Sequence, residues 1–257
     1  MIKNYLKRII RNNSLKYLLP NKYYLAINGY CPCCDNDVEF ESFNSWLRDF
    51  LICKTCSSIP RERALMLIIE QYYPNWRNLK IHETSPCERG PSIKLKKECV
   101  DYISSQYYPN KIFGQIVEKH RNEDLENQTF QNESFDLVIS QDVMEHVYTP
   151  EKAFSEIART LKKGGAHIFT VPIINKHKAS EIWAVKNENG EPVFFKTPEY
   201  HGNPVDPKGS PVTMHWGYNI TEFIEKTSKL KTKIEYINNL HFGVQAEYIE
   251  VLVSQKQ

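Results

Sequence analysis

The chain has 257 residues, of which 41% are hydrophobic and 25% charged, and its formal net charge is +2. That length accommodates one large domain, or a medium-sized domain with a small attachment. The near-neutral charge argues against a chain built wholly around nucleic acid. There is no apolar run long enough to cross a bilayer and no apolar signal segment at the start, so we expect a cytoplasmic protein.

Residues 1–24 are predicted to form a basic amphipathic helix. Ile2, Leu6 and Ile9 share one helical face, and the stretch up to Lys16 carries positive charges without an acid. Such a helix can dock on a membrane surface or on a partner protein through residues 1–19. The alternative is a terminal helix that packs on its own domain.

Residues 25–60 carry two Cys-x-x-Cys pairs. Cys31 and Cys34 form the first pair, and Cys53 and Cys56 form the second, with eighteen residues between the pairs. This pattern indicates a four-thiolate zinc ribbon rather than disulfides. Cys33 could replace Cys34, but the shorter gap makes a poorer turn. A module this small cannot be stabilised by apolar burial alone, so we expect a structural zinc ion whose four thiolates leave no position for water.

A helix is predicted over residues 59–73, where it would join the ribbon to the large domain. Pro60 suits its first turn, and Pro74 ends it. Leu65, Met66, Ile68 and Ile69 form its apolar face. We expect Arg61, Glu62 and Arg63 to form a solvated first turn.

Three strands are predicted to follow, each ending near polar residues. They span residues 79–84, 99–104 and 118–125. The first opens into the loop 85–90, and the second is followed by Ser105 and Gln106. The third contains Glu123 and Asp124.

Residues 122–172 read as a strand–helix–strand unit. Phe135–Ser140 is a short, branched apolar run that is typical of a strand buried on both faces. Gln141 and Asp142 follow it. Thr149 can cap the next helix, whose apolar face recurs at helical spacing until Gly164 and Gly165 stop it. A second strand is predicted over residues 166–171.

The central unit resembles class I S-adenosylmethionine (SAM)-dependent methyltransferases. The matching pieces are the turn Glu123-Asp124-Leu125, the segment SFDLVISQDVMEHV and the segment AFSEIARTLKKGGAHIFTVP. The resemblance implies an α/β domain over residues 61–257, with a Rossmann-like, seven-stranded, mostly parallel sheet and helices on both faces. A helix over residues 219–228 and strands over 231–238 and 248–254 would close that sheet.

The resemblance also implies SAM as the cofactor. Two positions depart from the family pattern: the loop 85–90 has a single glycine, and Gln106 stands where an acid usually accepts the ribose hydroxyls. By position, Glu83 would lie near the SAM ammonium, with His82 as the alternative if the register shifts by one residue. Asp124 would receive the adenine amino group. The cofactor-binding residues implied are Glu83, Thr84, Ser85, Ser105, Gln106, Asp124, Leu125, Gln141, Asp142 and His146.

Residues 173–217 form a long, irregular and aromatic insertion after the strand that ends near Pro172. A segment of this kind is usually functional, and this position allows it to cover the carboxyl ends of the sheet. We therefore predict that it binds the methyl acceptor through Tyr200, His201, Asn203, His215 and Trp216. The candidates for a general base are His146, His201 and His215.

The expected function is methyl transfer to an O or N atom of a small acceptor, such as a sugar or glycan intermediate. One alternative is an RNA methyltransferase that grips RNA with the zinc ribbon. The acidic residues of that ribbon, including Asp35, Asp37 and Glu39, argue against it. Another alternative is a SAM-fold scaffold protein without catalysis.

Overall fold

The structure is a computed structural model and describes residues 24–257. The predicted basic helix, and with it the docking prediction for residues 1–19, lies outside the described residues apart from Tyr24. Within the described part of the chain, no helix has the length and apolar character needed to cross a membrane.

The described chain contains a small amino-terminal sheet, a large central sheet and an insertion of short hairpins. The helices are α1 (Leu47–Phe50), α2 (Pro60–Tyr72), α3 (Gly90–Glu98), α4 (Pro150–Thr160) and α5 (Ile220–Ser228). The strands are β1 (Leu25–Cys31), β2 (Asn36–Ser42), β3 (Ile52–Cys53), β4 (Lys80–Thr84), β5 (Asp101–Gln106), β6 (Ile116–Val117), β7 (His120–Asn122), β8 (Phe135–Gln141), β9 (Leu161–Thr170), β10 (Glu181–Ile182), β11 (Ala184–Lys186), β12 (Pro192–Phe194), β13 (Tyr200–His201), β14 (Ser210–Pro211), β15 (Met214–His215), β16 (Lys231–Glu235) and β17 (Val251–Gln255).

The central sheet has the strand order β16-β17-β9-β8-β4-β5-β7-β6. The five strands from β9 to β7 run parallel, whereas β17, β16 and β6 pair antiparallel with their neighbours. This is the predicted Rossmann-like α/β sheet. It has eight strands instead of seven because the two-residue strand β6 pairs with β7 at one edge.

Apolar residues on the two faces of the sheet form two core clusters. On one face, Leu137 and Ile139 of β8 belong to the same cluster as Leu65 and Ile68 of α2. On the other face, Val138 of β8 clusters with residues of α4 and α5. The alternation along β8 follows from the two-residue period of a strand, and it places helices on both faces as predicted.

The small sheet of β1, β2 and β3 packs directly on the large domain. Phe40 and Leu51 are fully buried and share the cluster that contains Leu65 of α2. At Gly29, a Cβ atom would overlap the carbonyl oxygen of His241, so only glycine allows this close approach.

The first turn of α2 is buried, and the prediction of a solvated turn is wrong. Glu62 is 1% exposed and Arg63 is 0% exposed. The Arg63 guanidinium donates to the carbonyl oxygens of Ser58, Leu51 (2.8 Å) and Gly243 (2.7 Å). These charged side chains are buried because the ribbon covers the start of α2 and supplies backbone acceptors.

Several predicted boundaries shift where tertiary contacts decide them. Helix α4 ends at Thr160, before the two glycines, because Leu161 already pairs with Phe135 of β8. Thr149 occupies the N-cap position, but its side chain makes no capping hydrogen bond. The Glu126 carboxylate accepts instead from the backbone N–H groups of Tyr148 and Thr149, both at 3.0 Å. The strand predicted over residues 118–125 shrinks to the three residues of β7.

Candidate functional site

The carboxyl ends of four adjacent parallel strands meet at one edge of the central sheet. Strands β8, β4, β5 and β7 end at Gln141, Thr84, Gln106 and Asn122. Strand β5 lies on one side of β4 in the sheet, and β8 lies on its other side. The order of the strands therefore reverses between β4 and β8, and this switch point forms a crevice. The predicted cofactor residues lie at or just beyond these strand ends.

Glu83 lies at the centre of this edge and is fully buried. Its carboxylate accepts from Ser92 Oγ at 2.6 Å, Tyr102 OH at 2.7 Å and Gln141 Nε2 at 2.9 Å. Burial raises the pKa of Glu83, and these three donors oppose the rise. Glu83 thus ties β4 to α3, β5 and β8, while its contact with a SAM ammonium stays a prediction.

The loop after β4 and the end of β5 are joined by their backbones. Ser85 has a φ of 51° and donates its N–H to the carbonyl oxygen of Ser105 at 2.8 Å. The Ser105 hydroxyl lies 2.8 Å from Nε2 of the buried His82, so it faces the interior of the sheet. Thr84 is 4% exposed and Gln106 is 8% exposed, so both are largely buried where β4 and β5 end.

Asp124 and Leu125 form the turn beyond β7. Asp124 is half-buried, and its Oδ1 accepts from the Glu126 N–H at 2.9 Å. Burial raises the pKa of its carboxyl group. Leu125 is 9% exposed and packs in the core cluster of the α4 face. Among residues 24–257, Asp124 Oδ2 has no hydrogen-bond partner, so this oxygen is free to accept from a ligand.

Asp142 follows β8 and binds two arginines that sequence reasoning left out of the site. Its Oδ2 lies 2.7 Å from Arg48 Nη2 and 2.9 Å from Arg61 Nε, and its Oδ1 accepts from Thr170 Oγ1 at 2.9 Å. Burial would raise the pKa of Asp142, but the two guanidinium groups outweigh it and hold the pKa below its usual value. Arg48 belongs to the ribbon, so the ribbon supplies a side chain to the carboxyl edge of the central sheet.

A cluster of one carboxylate and two histidines lies beyond the end of β8. Glu145 and His146 belong to the loop before α4, and His201 belongs to β13 of the insertion. Glu145 Oε1 lies 3.7 Å from His146 Nε2 and 3.7 Å from His201 Nδ1. The two imidazole rings stand edge to face with centroids 4.9 Å apart. The structure thus brings together two of the three predicted catalytic histidines.

His215 lies one step further out and is linked to His201 through Glu199. Glu199 Oε2 lies 3.0 Å from His215 Nε2, and Glu199 Oε1 lies 3.3 Å from His201 Nε2. The His215 ring stacks on Trp183 with a centroid distance of 3.9 Å. Glu145 and Glu199 are functional candidates that the sequence analysis missed. Glu145 directly precedes the predicted His146, and Glu199 is two residues before the predicted His201.

The other residues predicted to bind the acceptor divide into three environments. Trp216 is fully buried, donates to the Met144 carbonyl oxygen at 3.1 Å and packs against Phe154, so its assignment to acceptor binding is wrong. Asn203 uses its side chain to hold its own loop, accepting from the Val205 N–H and donating to Ser210 Oγ. Tyr200 is 47% exposed and stays a candidate for acceptor binding.

A second cluster consists of the four predicted cysteines of the ribbon. The sulfur atoms of Cys31, Cys34, Cys53 and Cys56 all lie within 4.8 Å of one another. Cys31 and Cys56 are separated by 3.6 Å, and Cys34 and Cys53 by 4.0 Å. Four thiolates around one tetrahedral zinc ion at about 2.3 Å would stand about 3.8 Å apart, so the arrangement fits that ion.

The two cysteine pairs also share one backbone geometry. In each pair, the residue after the second cysteine has a positive φ, 53° at Asp35 and 58° at Ser57. Each of these residues donates its N–H to the carbonyl oxygen of the first cysteine of its pair, at 2.9 Å and 2.8 Å. Cys33 is excluded from the cluster because its sulfur lies against the carbonyl oxygen of Glu62.

Comparison with known proteins bears on the central part of the chain. Residues 92–169 match the family described as a methyltransferase domain. The match spans less than a third of the chain and includes most of α3, the strands β5 to β8, α4 and most of β9. It supports a methyltransferase domain over the segment that contains β8, whereas β4 on the other side of the crevice lies before the match. Comparison with curated protein sequences gave no match.

Solved structures with a similar chain trace include several methyltransferases. An S-adenosylmethionine-dependent methyltransferase from Mesorhizobium loti is 15% identical with a TM-score of 0.46, and the alignment covers 74% of this chain and 96% of that one. The YcgJ protein of Bacillus subtilis is 11% identical with a TM-score of 0.46, covering 76% and 98%. Phosphoethanolamine N-methyltransferase 2 of Haemonchus contortus, in complex with S-adenosyl-L-methionine, is 14% identical with a TM-score of 0.41, covering 68% and 38%. Identities at this level carry no information about a substrate.

Proposed function

We propose that the protein is a SAM-dependent methyltransferase that methylates an O or N atom of a small acceptor. The observation that carries the proposal is the crevice at the carboxyl ends of β4 and β8, which lies within and beside the segment that matches a methyltransferase domain. Ligands of open parallel sheets bind at such a switch point.

The residues at the crevice suit the donor. Asp124 offers a free carboxylate oxygen to an amino group, and Gln106 offers an amide at the end of β5. Glu83 holds the loop 85–92 in place through Ser92, which fixes the wall of the crevice. When bound there, SAM would supply an activated methyl group on a sulfonium. This chain then has to align an acceptor lone pair with that methyl group, because alignment is worth about 7–11 kcal/mol at best.

The insertion supplies the acceptor side. It packs on the loop after β8: Thr213 N–H donates to the Glu145 carbonyl oxygen at 2.7 Å, and Thr213 Oγ1 donates to that of Val147 at 2.6 Å. The cluster of Glu145, His146 and His201 therefore sits between the sheet edge and the insertion. In the transfer, the acceptor lone pair forms the new bond to carbon, the carbon–sulfur bond breaks, sulfur leaves as a neutral thioether and the acceptor gives up a proton. A polar, partly exposed cluster favours a hydroxylated acceptor of the sugar or glycan class.

The RNA alternative finds little support on the ribbon surface. Asp35 and Asp37 are exposed there, whereas Arg48 is buried against Asp142. A surface of this sign repels phosphates. We therefore propose that the ribbon has a structural role, with one zinc ion bound by Cys31, Cys34, Cys53 and Cys56.

Calorimetry with SAM and with its demethylated product tests the proposed activity. The wild-type chain should bind both ligands, and Asp124→Asn should weaken binding about tenfold through the loss of a hydrogen bond to a charged acceptor. Asp101→Asn is the matched control, because Asp101 begins β5 at the opposite edge of the sheet, and it should bind like the wild type. If the wild-type chain gives no heat with either ligand, the scaffold alternative stands instead.

A further inference from the structure

We propose that Glu145, His146 and His201 bind a divalent transition-metal ion, and that this ion holds an oxygen atom of the acceptor. The proposal deepens the proposed methyl transfer and rests on it for the role of the ion, while the ion site itself stands on geometry alone. It is separate from the four-cysteine cluster.

The three side chains present one ligand atom each to a common point. Glu145 Oε1 lies 3.7 Å from His146 Nε2 and 3.7 Å from His201 Nδ1, and one ligand atom from each of the three residues lies within 4.8 Å of the other two. Nitrogen and carboxylate ligands at about 2.0–2.2 Å from an ion would stand about 3–3.6 Å apart. The ring of ligand atoms therefore closes on an ion after small side-chain movements.

Glu145 is a buried carboxylate whose nearest titratable neighbours, His146 and His201, lie at 3.7 Å, beyond hydrogen-bond distance. Its side chain is 1% exposed, and neither carboxylate oxygen has a hydrogen-bond partner among residues 24–257. A buried carboxylate without hydrogen bonds is strongly disfavoured, so buried charges are paired or coordinate metals. An ion between Glu145 and the two rings would satisfy this carboxylate.

Neighbouring groups fix both histidines in the tautomer that a metal requires. His146 Nδ1 lies 2.9 Å from the Pro211 carbonyl oxygen, which only accepts, so Nδ1 carries the proton and Nε2 keeps its lone pair towards Glu145. His201 Nε2 lies 3.3 Å from the Glu199 carboxylate, so the neutral ring donates from Nε2 and directs the lone pair of Nδ1 towards Glu145. Metal-bound histidines are oriented by a carbonyl or carboxylate in this way.

The chemistry of the donor set points to the kind of ion and to its use. Two imidazoles and one carboxylate suit zinc, iron(II) or a similar first-row ion, and three protein ligands leave coordination positions open. His201 is 39% exposed, so a small acceptor can reach the cluster from solvent. An ion there would bind an acceptor hydroxyl and orient its oxygen towards the methyl group, and the hydroxyl proton would leave to solvent because His146 and His201 would both be held as ligands. The acceptor class is therefore an oxygen nucleophile with a free hydroxyl.

Cobalt(II) binding to the zinc-loaded full-length chain tests the site. Zinc occupies the cysteine cluster, so one further equivalent of Co²⁺ should bind with a ligand-field spectrum that lacks thiolate charge-transfer absorption. Glu145→Gln and His201→Ala should each weaken this binding by about 100-fold or more, and Glu199→Gln by about 10–100-fold because it acts through His201. The exposed His241→Ala is the control and should bind like the wild type.

Retained zinc and an unchanged circular dichroism spectrum show that each variant is folded, and the isosteric Glu145→Gln is the variant least prone to misfold. The proposal is overturned if the wild-type chain binds no second equivalent of metal, if Co²⁺ binds only with thiolate charge-transfer absorption, or if the folded variants bind Co²⁺ as tightly as His241→Ala.

Calorimetry of the same wild-type sample with SAM separates the metal-site hypothesis from the methyl-transfer hypothesis. Binding of SAM without Co²⁺ removes the metal site alone, and binding of Co²⁺ without SAM removes methyl transfer alone.

Discussion

Asp142 shows how one residue at the site depends on a distant part of the sequence. The strand that precedes it made its position predictable, but its partners Arg48 and Arg61 lie far away in the chain and gave no local pattern. Both guanidinium groups are largely buried, with 10% and 14% of their side chains exposed. Glu145 and Glu199 are similar cases. Their neighbours His146 and His201 were predicted as site residues from the sequence, whereas the contacts of the two glutamates depend on how the insertion packs on the loop after β8.

Replacing Arg48 should destabilise the protein, because it leaves part of the Asp142 charge buried without its partner. Arg61 remains, so we expect Arg48→Met to lower the free energy of unfolding by about 1–3 kcal/mol, less than the loss of a whole buried pair. Urea unfolding measures the change. Lys54→Met, which breaks an exposed pair with Glu39, should have no measurable effect. Equal stability of the two variants would show that Arg48 does not stabilise Asp142.

At the scale of elements, patterns that act within a few residues were predictable and tertiary contacts were not. The apolar run of β8 and the two cysteine pairs identified their elements from sequence. The end of α4 could not be predicted, because Leu161 pairs with β8 before the two glycines that were expected to stop the helix. The length of β7 could not be predicted either, because it depends on which residues pair with β5. The burial of Glu62 and Arg63 also escaped prediction, because it needs a ribbon that covers the first turn of α2.

The central sheet contains two buried histidines that should make its stability depend on pH. Burial lowers the pKa of both His82 and His167 to about 3, from an ordinary value of 6.5. Below pH 6.5 these histidines bind protons in the unfolded chain but not in the folded chain. The free energy of unfolding should therefore fall as the pH is lowered from 6.5 towards 3. Above pH 6.5 these residues should cause no pH dependence. Each histidine contributes about 1.4 kcal/mol per pH unit within it.

His167→Gln tests this dependence because glutamine can keep a hydrogen bond to Ser140. Urea unfolding at pH 7.5 and at about pH 5 brackets the ordinary histidine pKa. Between these two conditions, the free energy of unfolding should fall less for this variant than for the wild type. His241→Gln, an exposed position, should keep the wild-type slope. Parallel slopes for all three proteins would contradict the prediction.

The cysteine cluster predicts that Cys53 is needed for zinc binding and that Cys33 is not. Cys53→Ser removes one of the four sulfurs, so it should lose bound zinc and lower the thermal midpoint of the whole protein, because metal binding contributes to folding. Cys33→Ser changes a thiol that faces the Glu62 carbonyl oxygen instead, so it should keep one zinc per chain. Mass spectrometry of the metal content distinguishes them, and zinc retained in Cys53→Ser would refute the four-thiolate site.

At the scale of the whole molecule, the ribbon and the large domain form one unit. Apolar residues of the ribbon and of one face of the central sheet share one core cluster, and Lys94 of α3 donates to the Pro32 carbonyl oxygen at 2.8 Å within the first cysteine pair. Arg48 extends this connection to the edge of the crevice. The sequence predicted two modules joined by a helix, whereas the contacts between them depend on side chains whose partners no local pattern identifies. The ribbon therefore supplies a side chain to the edge of the crevice as well as the four-cysteine cluster.

A crystal structure with the demethylated product of SAM is the most direct test of this account. We expect the ligand to occupy the crevice between the carboxyl ends of β4 and β8. Its adenine should lie beside Asp124 and Leu125, and its sulfur on the side of Glu145, His146 and His201. Product bound elsewhere, or a crevice that excludes it at saturating concentration, would contradict the proposed methyltransferase site.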